Sequence, residues 1–208
     1  MNAVFRRPAQ LRPEQLEVID GDVNIEARSE LAYTTAHALI PHGGEVDNEV
    51  IARLRALIAE EGVDVIAESW VDSPETSLPG ILWRGYLLRE WIRRFSEDVH
   101  QRFIAAQKAG ASQENVLEPE NVMKLWDSVF GGSFAGDFID VIRQSARLTD
   151  FLASVEPVWI DEDDHPLATL VTRRATGMAR TSQEFREAGE KIFREGVVPP
   201  SGSDVQSK

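Results

Sequence analysis

Leu82, Tyr86, Arg89 and Arg93 stand at i, i+4, i+7 and i+11, so a helix gathers them into one stripe. The stripe is apolar at one end and doubly cationic at the other. A phenol beside two forked guanidiniums is a donor set for a carboxylate or a phosphate. Two arginines one turn apart repel unless something anionic lies between them. The anion can be internal: Glu68, Asp72 or another acid from residues 13–80. It can equally be a bound carboxylate or phosphate. Tyr86, Arg89 and Arg93 are therefore the candidate ligand-binding residues. An internal salt-bridge network, or arginines reaching solvent, is the plainer reading. If the pairing is internal, at least one carboxylate from residues 13–80 is expected to meet the two arginines.

Other chemistries fit less well. Two Glu-x-x-His patterns occur, at Glu97/His100 and Glu162/His165. In carboxylate-bridged di-metal bundles such pairs project from one helix face into the core. Here Ile92, Phe95, Val99 and Phe103 set the core face, and Glu97 lies roughly opposite it. The second pair precedes Pro166, in an acidic loop or a first turn. No metal site is expected. The acids Asp161, Glu162, Asp163 and Asp164 lack the spacing of a calcium loop. There is no cysteine and no Gly-x-Ser-x-Gly elbow, so nucleophilic catalysis has no motif to rest on. Gly131-Gly132-Ser133 could hold an anion at a helix N-terminus, but a glycine stop followed by a serine cap explains it. Of His37, His42, His100 and His165, only His37 lies well inside a helix, about one, two and three turns from Tyr33, Glu30 and Glu26. A proton-handling cluster is conceivable there; a hydrogen-bonded boundary histidine is the plainer reading. No cofactor is expected.

The element that must carry the candidate stripe is a helix over 77–95. Its apolar side chains fall almost all the way round: Leu78, Leu82 and Ile92 on one side, Trp83, Leu87 and Trp91 on the other. Such a helix wants other helices around it. Ser77 caps it and Pro79 suits its first turn. The remaining pattern is also helical. Residues 24–40 and 48–61 read as helices, the second with a stripe of Val50, Ile51, Leu54, Leu57 and Ile58 and a stop at Gly62. Residues 64–72 fit a helix or a strand, and residues 16–25 fit a helical turn or a small hairpin around Asp20-Gly21. Ser96 looks like the cap of a helix to Gly110. Pro119 opens a cleanly amphipathic helix with Val122, Leu125, Trp126, Val129 and Phe130. Ser133 then caps a long helix to about 156, whose stripe of Phe134, Phe138, Val141, Ser145, Leu148, Leu152 and Val155 steps by 4 and 3. From Asp164 and Pro166 a last helix reaches Glu195, with Leu167, Val171, Met178, Phe185, Ala188 and Ile192 in a matching stripe. Arg174, Thr181 and Ser145 weaken the seam. The connection is short enough for the two to pack as an antiparallel hairpin. The stripe is expected to be used within one chain, leaving any dimer to other surface.

Bulk composition sets the bounds. The chain has 208 residues, 42% apolar and 27% charged, ordinary for one globular domain. The formal charge is −13. It is uneven: residues 13–80 hold fifteen acids and three bases, while residues 81–110 hold six bases and three acids. An acidic surface repels phosphate backbones, so no nucleic acid is expected as a partner. No window has transmembrane length and the N-terminus lacks a signal-like run, so no membrane partner and a cytoplasmic location are expected.

The run Leu78-Pro79-Gly80-Ile81-Leu82-Trp83-Arg84-Gly85-Tyr86-Leu87-Leu88-Arg89-Glu90-Trp91 resembles a stretch in uncharacterised helical proteins of high-G+C Gram-positive bacteria. The resemblance implies a bacterial source and attaches no activity, cofactor or residue role. The sequence thus points to an all-α, single-domain bundle of about seven or eight helices ending in an antiparallel hairpin. Residues 1–12 read as a flexible basic arm, 13–196 as the bundle, and 197–208 as a disordered tail. The expected function leans away from an enzyme, toward a non-enzymatic interaction or regulatory module with an unknown protein partner, as monomer or homodimer. The alternative is a small-anion-binding protein or enzyme with a pocket beside the central helix.

Overall fold

A computed structural model describes residues 13–40, 48–111, 114–132, 134, 136–155 and 175–194. Among these residues there are eight α-helices and no strand. They are α1 (Pro13–Leu39), α2 (Asn48–Glu61), α3 (Asp64–Ala67, continued by a 3-10 turn over Glu68–Trp70), α4 (Leu78–Arg94), α5 (Ser96–Lys108), α6 (Pro119–Phe130), α7 (Phe138–Ala153) and α8 (Ala175–Arg194). The chain forms one all-α domain. The proposed basic arm and tail lie outside the described residues. No described helix is long and apolar enough to cross a membrane.

α4 is the centre, as its all-round apolar pattern requires. Twelve of its 17 residues are buried. The Ser77 side chain accepts a hydrogen bond from the Gly80 amide at 3.2 Å, and Pro79 sits in the first turn, where its missing amide proton costs nothing. α4 packs against α1, α5, α6 and α8. Two glycines permit that crowding. A Cβ on Gly80 would lie 2.1 Å from the Pro74 carbonyl oxygen, and one on Gly85 would lie 2.2 Å from the Trp126 ring.

Trp126 is wholly buried and its indole donates to Ser145 Oγ at 2.9 Å. It stacks on Phe130 at 5.5 Å and meets Phe138 edge-on at 6.0 Å. Trp70 stacks on the other side of Phe130 at 6.1 Å. Its indole donates to Thr35 Oγ1 at 3.0 Å. These rings join α1, α4, α6, α7 and α8 around one core.

α7 and α8 form the antiparallel hairpin. Val141, Leu148 and Leu152 face Met178, Phe185, Ala188 and Ile192 across the seam, all buried. The polar seam residues are satisfied locally. Ser145 receives the Trp126 indole, Thr181 donates to the Gly177 carbonyl at 3.0 Å, and Ser182 donates to the Ala146 carbonyl at 2.8 Å. Small hydroxyls here allow close approach instead of weakening the contact. Leu167, Val171 and Arg174 lie outside the described residues.

Several boundaries differ from the sequence reading. Residues 16–25 belong to α1, which begins at Pro13. A hairpin there has no neighbouring strand to pair with, and a lone hairpin is marginal. Residues 64–70 are helical, so the strand alternative falls for the same reason. α7 starts at Phe138, with the Asp137 side chain accepting from the Ile139 amide at 2.8 Å; it does not start at Ser133. Gly132 has a φ of +68°, which turns the chain away from helix before that point. Phe134 therefore joins the core from a connection, edge-on to Phe138. The break between α4 and α5 falls on Phe95, and Ser96 makes no cap. The α2 stripe is only partly covered: Leu54 is buried, while Val50 and Leu57 are 37% exposed.

Candidate functional site

The candidate stripe converges on a residue that the sequence reading passed over. Glu90 is 2% exposed, on the inner side of α4. Its neighbours along the helix turn back onto it. Arg89 Nη1 lies 2.7 Å from Glu90 Oε1, and Arg93 Nη2 lies 2.6 Å from Oε2. Arg94 Nε lies 3.2 Å from Oε2. Arg89 also donates through Nε to Asp127 Oδ1 of α6 at 2.6 Å. The expected anion between the arginines is thus present and internal, but it comes from α4 and α6, not from residues 13–80. Of the acids named for the role, Glu68 is exposed and Asp72 pairs with Arg28 at 3.1 Å. The signal for Glu90 was in the sequence: one acid on an otherwise apolar helix, with arginines at −1, +3 and +4.

Tyr86 is buried among the core aromatics, stacked on Trp83 at 5.5 Å. Its hydroxyl donates to Asp64 at the start of α3. Burial first, then that hydrogen bond, pushes the phenol above its ordinary pKa; the charges of Asp64 and Glu90 add to the push and Arg94 opposes it. The Glu90 hydrogen bond and charge likewise raise the Arg93 pKa, which stays cationic. Three guanidiniums here meet two carboxylates, Glu90 and Asp127, and Asp64 joins the cluster through the Tyr86 hydroxyl. The arrangement is a polar lock between α3, α4 and α6.

The other candidates separate. Glu97 and His100 are both exposed, and Glu97 accepts from Gln101 at 2.9 Å. No cluster of three metal-ligating side chains occurs among the described residues. His37 is half-buried and stacks on Tyr33 at 6.4 Å, while Glu26 and Glu30 are exposed. Glu162, His165, Ser133 and His42 lie outside the described residues. Arg102, 1% exposed, donates to the Leu152 and Val155 carbonyls at 2.8 and 3.0 Å. A cation at that place complements the C-terminal end of α7.

Two hollows lie on α8. The smaller, about 310 Å³, runs between α4 and the first half of α8 and includes Trp83, Arg84, Glu75, Arg180 and Glu184. Its charges are spoken for: Arg84 lies 2.6 Å from Glu184 and 3.2 Å from Glu75. Arg180 meets the same two acids.

The larger, about 520 Å³, is a groove along the outside of the α7–α8 hairpin. Ile139, Ile142, Ala146 and Phe185 line it, and Gly189 lets the helices approach. Ile139, Ile142 and Ala146 form a second stripe on α7 at i, i+3 and i+7, one the sequence reading did not separate from the seam. Phe193 stands at the edge, 68% exposed. Arg143, Arg147 and Arg186 complete the rim, against a single acid, Glu190. The rim arginines make solvent-exposed contacts. Arg143 reaches exposed Asp140 at 3.3 Å, Arg186 reaches exposed Asp150 at 2.9 Å, and Arg147 reaches the Asn115 carbonyl at 3.4 Å.

No family model, curated protein or solved structure matches this chain.

Proposed function

We propose that this chain is a non-enzymatic interaction module whose working face is the outer groove of the α7–α8 hairpin, and that the groove takes an acidic amphipathic helix. The observation that carries the reading is Phe193, 68% exposed at the edge of an apolar groove of about 520 Å³. A large aromatic beside an apolar trough is what a helix-in-groove contact uses as an anchor. Aromatic and arginine side chains favour such faces. The groove lining carries three arginines and one acid in a chain whose net charge is −13. Arg143 and Arg186 meet half-exposed Asp140 and Asp150, and such pairs can be exchanged for a partner's acids at little cost. A cytoplasmic location belongs to the same proposal; its support is the absence of cysteine, which suits a reducing compartment.

The alternative, a small-anion site beside Tyr86, Arg89 and Arg93, gets less support. Its cationic groups already have carboxylates, and Glu90 occupies the place an anion would take.

The test uses a labelled, designed helix of leucine and glutamate and its lysine counterpart, followed by fluorescence anisotropy. The acidic helix binds in the micromolar range and the basic one does not. Phe193→Ser weakens the acidic helix by at least about tenfold, which corresponds to ~1.4 kcal/mol. Equal binding of both helices, or binding indifferent to Phe193, overturns the reading.

A further inference from the structure

The groove has a matching ligand within the same chain. We propose that two copies associate by exchanging the first half of α1, each laying it into the α7–α8 groove of the other; this rests on the groove reading above.

The second half of α1 is built into the core: Ala32, Ala36, Ala38 and Leu39 are buried. The stretch just before it, residues 26–31, is not. Every residue from 26 to 31 is exposed, and Leu31 is 53% exposed. α1 nevertheless continues as helix back to Pro13. An isolated helical arm of this length is marginal in water and gains most of its stability from packing. In sequence the arm is acidic and partly apolar. Residues 13–27 contain Glu14, Glu17, Asp20, Asp22 and Glu26 and no base.

Arg28 fixes how the arm is turned. It pairs with Asp72 of its own chain at 3.1 Å. At about 100° per residue, Glu26 and Glu30 lie roughly 160–200° round the helix from Arg28. They therefore point away from the body, and neither has an ion-pair partner among the described residues. In sequence the arm also carries Leu16, Val18, Ile19, Val23 and Ile25.

The groove offers the complement. Arg143 and Arg147 are one turn apart on α7, as Glu26 and Glu30 are one turn apart on α1. Both pairs are spaced by about 6 Å along their axes, so two helices laid side by side bring two acids to two bases. The apolar positions of the arm then meet Ile139, Ile142 and Phe193. Exchange is reciprocal because a one-way contact leaves one arm and one groove open on every pair, and such association continues without closing.

Light scattering over a concentration series tests this with the full chain. The parent protein approaches twice the 23.2 kDa of one chain. Glu26→Lys/Glu30→Lys and Arg143→Glu/Arg147→Glu each remain at the mass of one chain. Mixing the two variants restores the double mass, because in the mixed pair both contacts again join opposite charges. Phe193→Ser lowers the dimer fraction without touching either charge pair. A parent protein that stays monomeric at hundreds of micromolar, a dimer that survives both charge variants, or a mixture that stays monomeric overturns the proposal. The groove reading is judged separately. A monomeric Glu26→Lys/Glu30→Lys protein that still binds the designed acidic helix keeps it, so failure of dimerisation then removes only this inference.

Discussion

Arginines crowd two regions of this protein, and the two regions use them differently. On α4, three guanidiniums close over Glu90, whose side chain is 3% exposed. On the α7–α8 groove, Arg143 and Arg186 are 50% and 52% exposed, with acids that are 48% and 55% exposed. The difference lies in where the acid sits. A buried carboxylate draws cations over itself, and removing either side strands charge in a poorly solvated place. An exposed pair contributes between nothing and about 1 kcal/mol, so its arginine can change partner at little cost. The α4 cluster is therefore suited to holding helices together and the groove to meeting another molecule.

The strongest test of that contrast is the core on which both regions stand. Trp126 joins α4 to the hairpin, with its ring against Gly85 and its indole on Ser145. Trp126→Ala should cost on the order of 3–5 kcal/mol, read from urea or thermal melts. It should loosen both regions together. A loss below about 1 kcal/mol would mean the two are independently stable.

Next in size is the lock itself. Glu90→Gln keeps the shape and removes the charge that three arginines share. Hydrogen bonds to charged groups contribute about 1.5–3 kcal/mol, so a loss of about 2–3 kcal/mol is expected from the same melts. Arg93→Met removes only one cover, itself 55% exposed, and should cost less than about 1 kcal/mol. Equal losses for the two would mean that Glu90 is no more central than its neighbours.

Tyr86 gives a smaller effect with a pH signature. Tyr86→Phe loses one hydrogen bond to Asp64 and should cost about 1 kcal/mol near pH 7. Folding raises the phenol pKa, so the folded chain keeps a proton that the unfolded chain releases. The contribution is complete below the ordinary tyrosine value of about 10 and is lost progressively above it, as pH rises toward the higher folded value. Urea melts between about pH 8 and 11 should show parent stability falling more steeply than that of the phenylalanine variant. Parallel slopes would mean that the phenol titrates alike in both states.

Much of the fold was legible because its signals are local or periodic. The α4 pattern, the cap at Ser77, the α6 stripe and the matched seams of α7 and α8 each rest on residues a few positions apart. Residues 16–25 were ambiguous because Asp20-Gly21 is a good turn, and only the missing partner strand decides against it. The site was half legible. Arg89 and Arg93 demanded an anion, but charge summed over residues 13–80 pointed to the wrong source. Glu90, adjacent in sequence, was decided by burial. The groove was hidden because Ile139, Ile142 and Ala146 lie beside the heptad stripe on α7. A helix apolar over more than half its circumference does not say which part its neighbour covers.

The smallest expected effect separates the regions most sharply. Arg143→Glu/Arg147→Glu places two acids on a rim where Asp140 and Glu190 already stand. Arg143 is exposed and Arg147 half-buried, no buried group loses a partner, and helix propensity changes little between arginine and glutamate. Surface changes of this kind stay within about 0.5 kcal/mol. Melts at low protein concentration should therefore be indistinguishable from the parent, in contrast to Glu90→Gln. High concentration reverses the expectation. If copies associate through this groove, the parent gains stability by mass action and the variant does not. The parent melting temperature should then rise with concentration while that of the variant stays level. A variant already unstable when dilute would place these arginines with the α4 lock, as parts that hold the fold together.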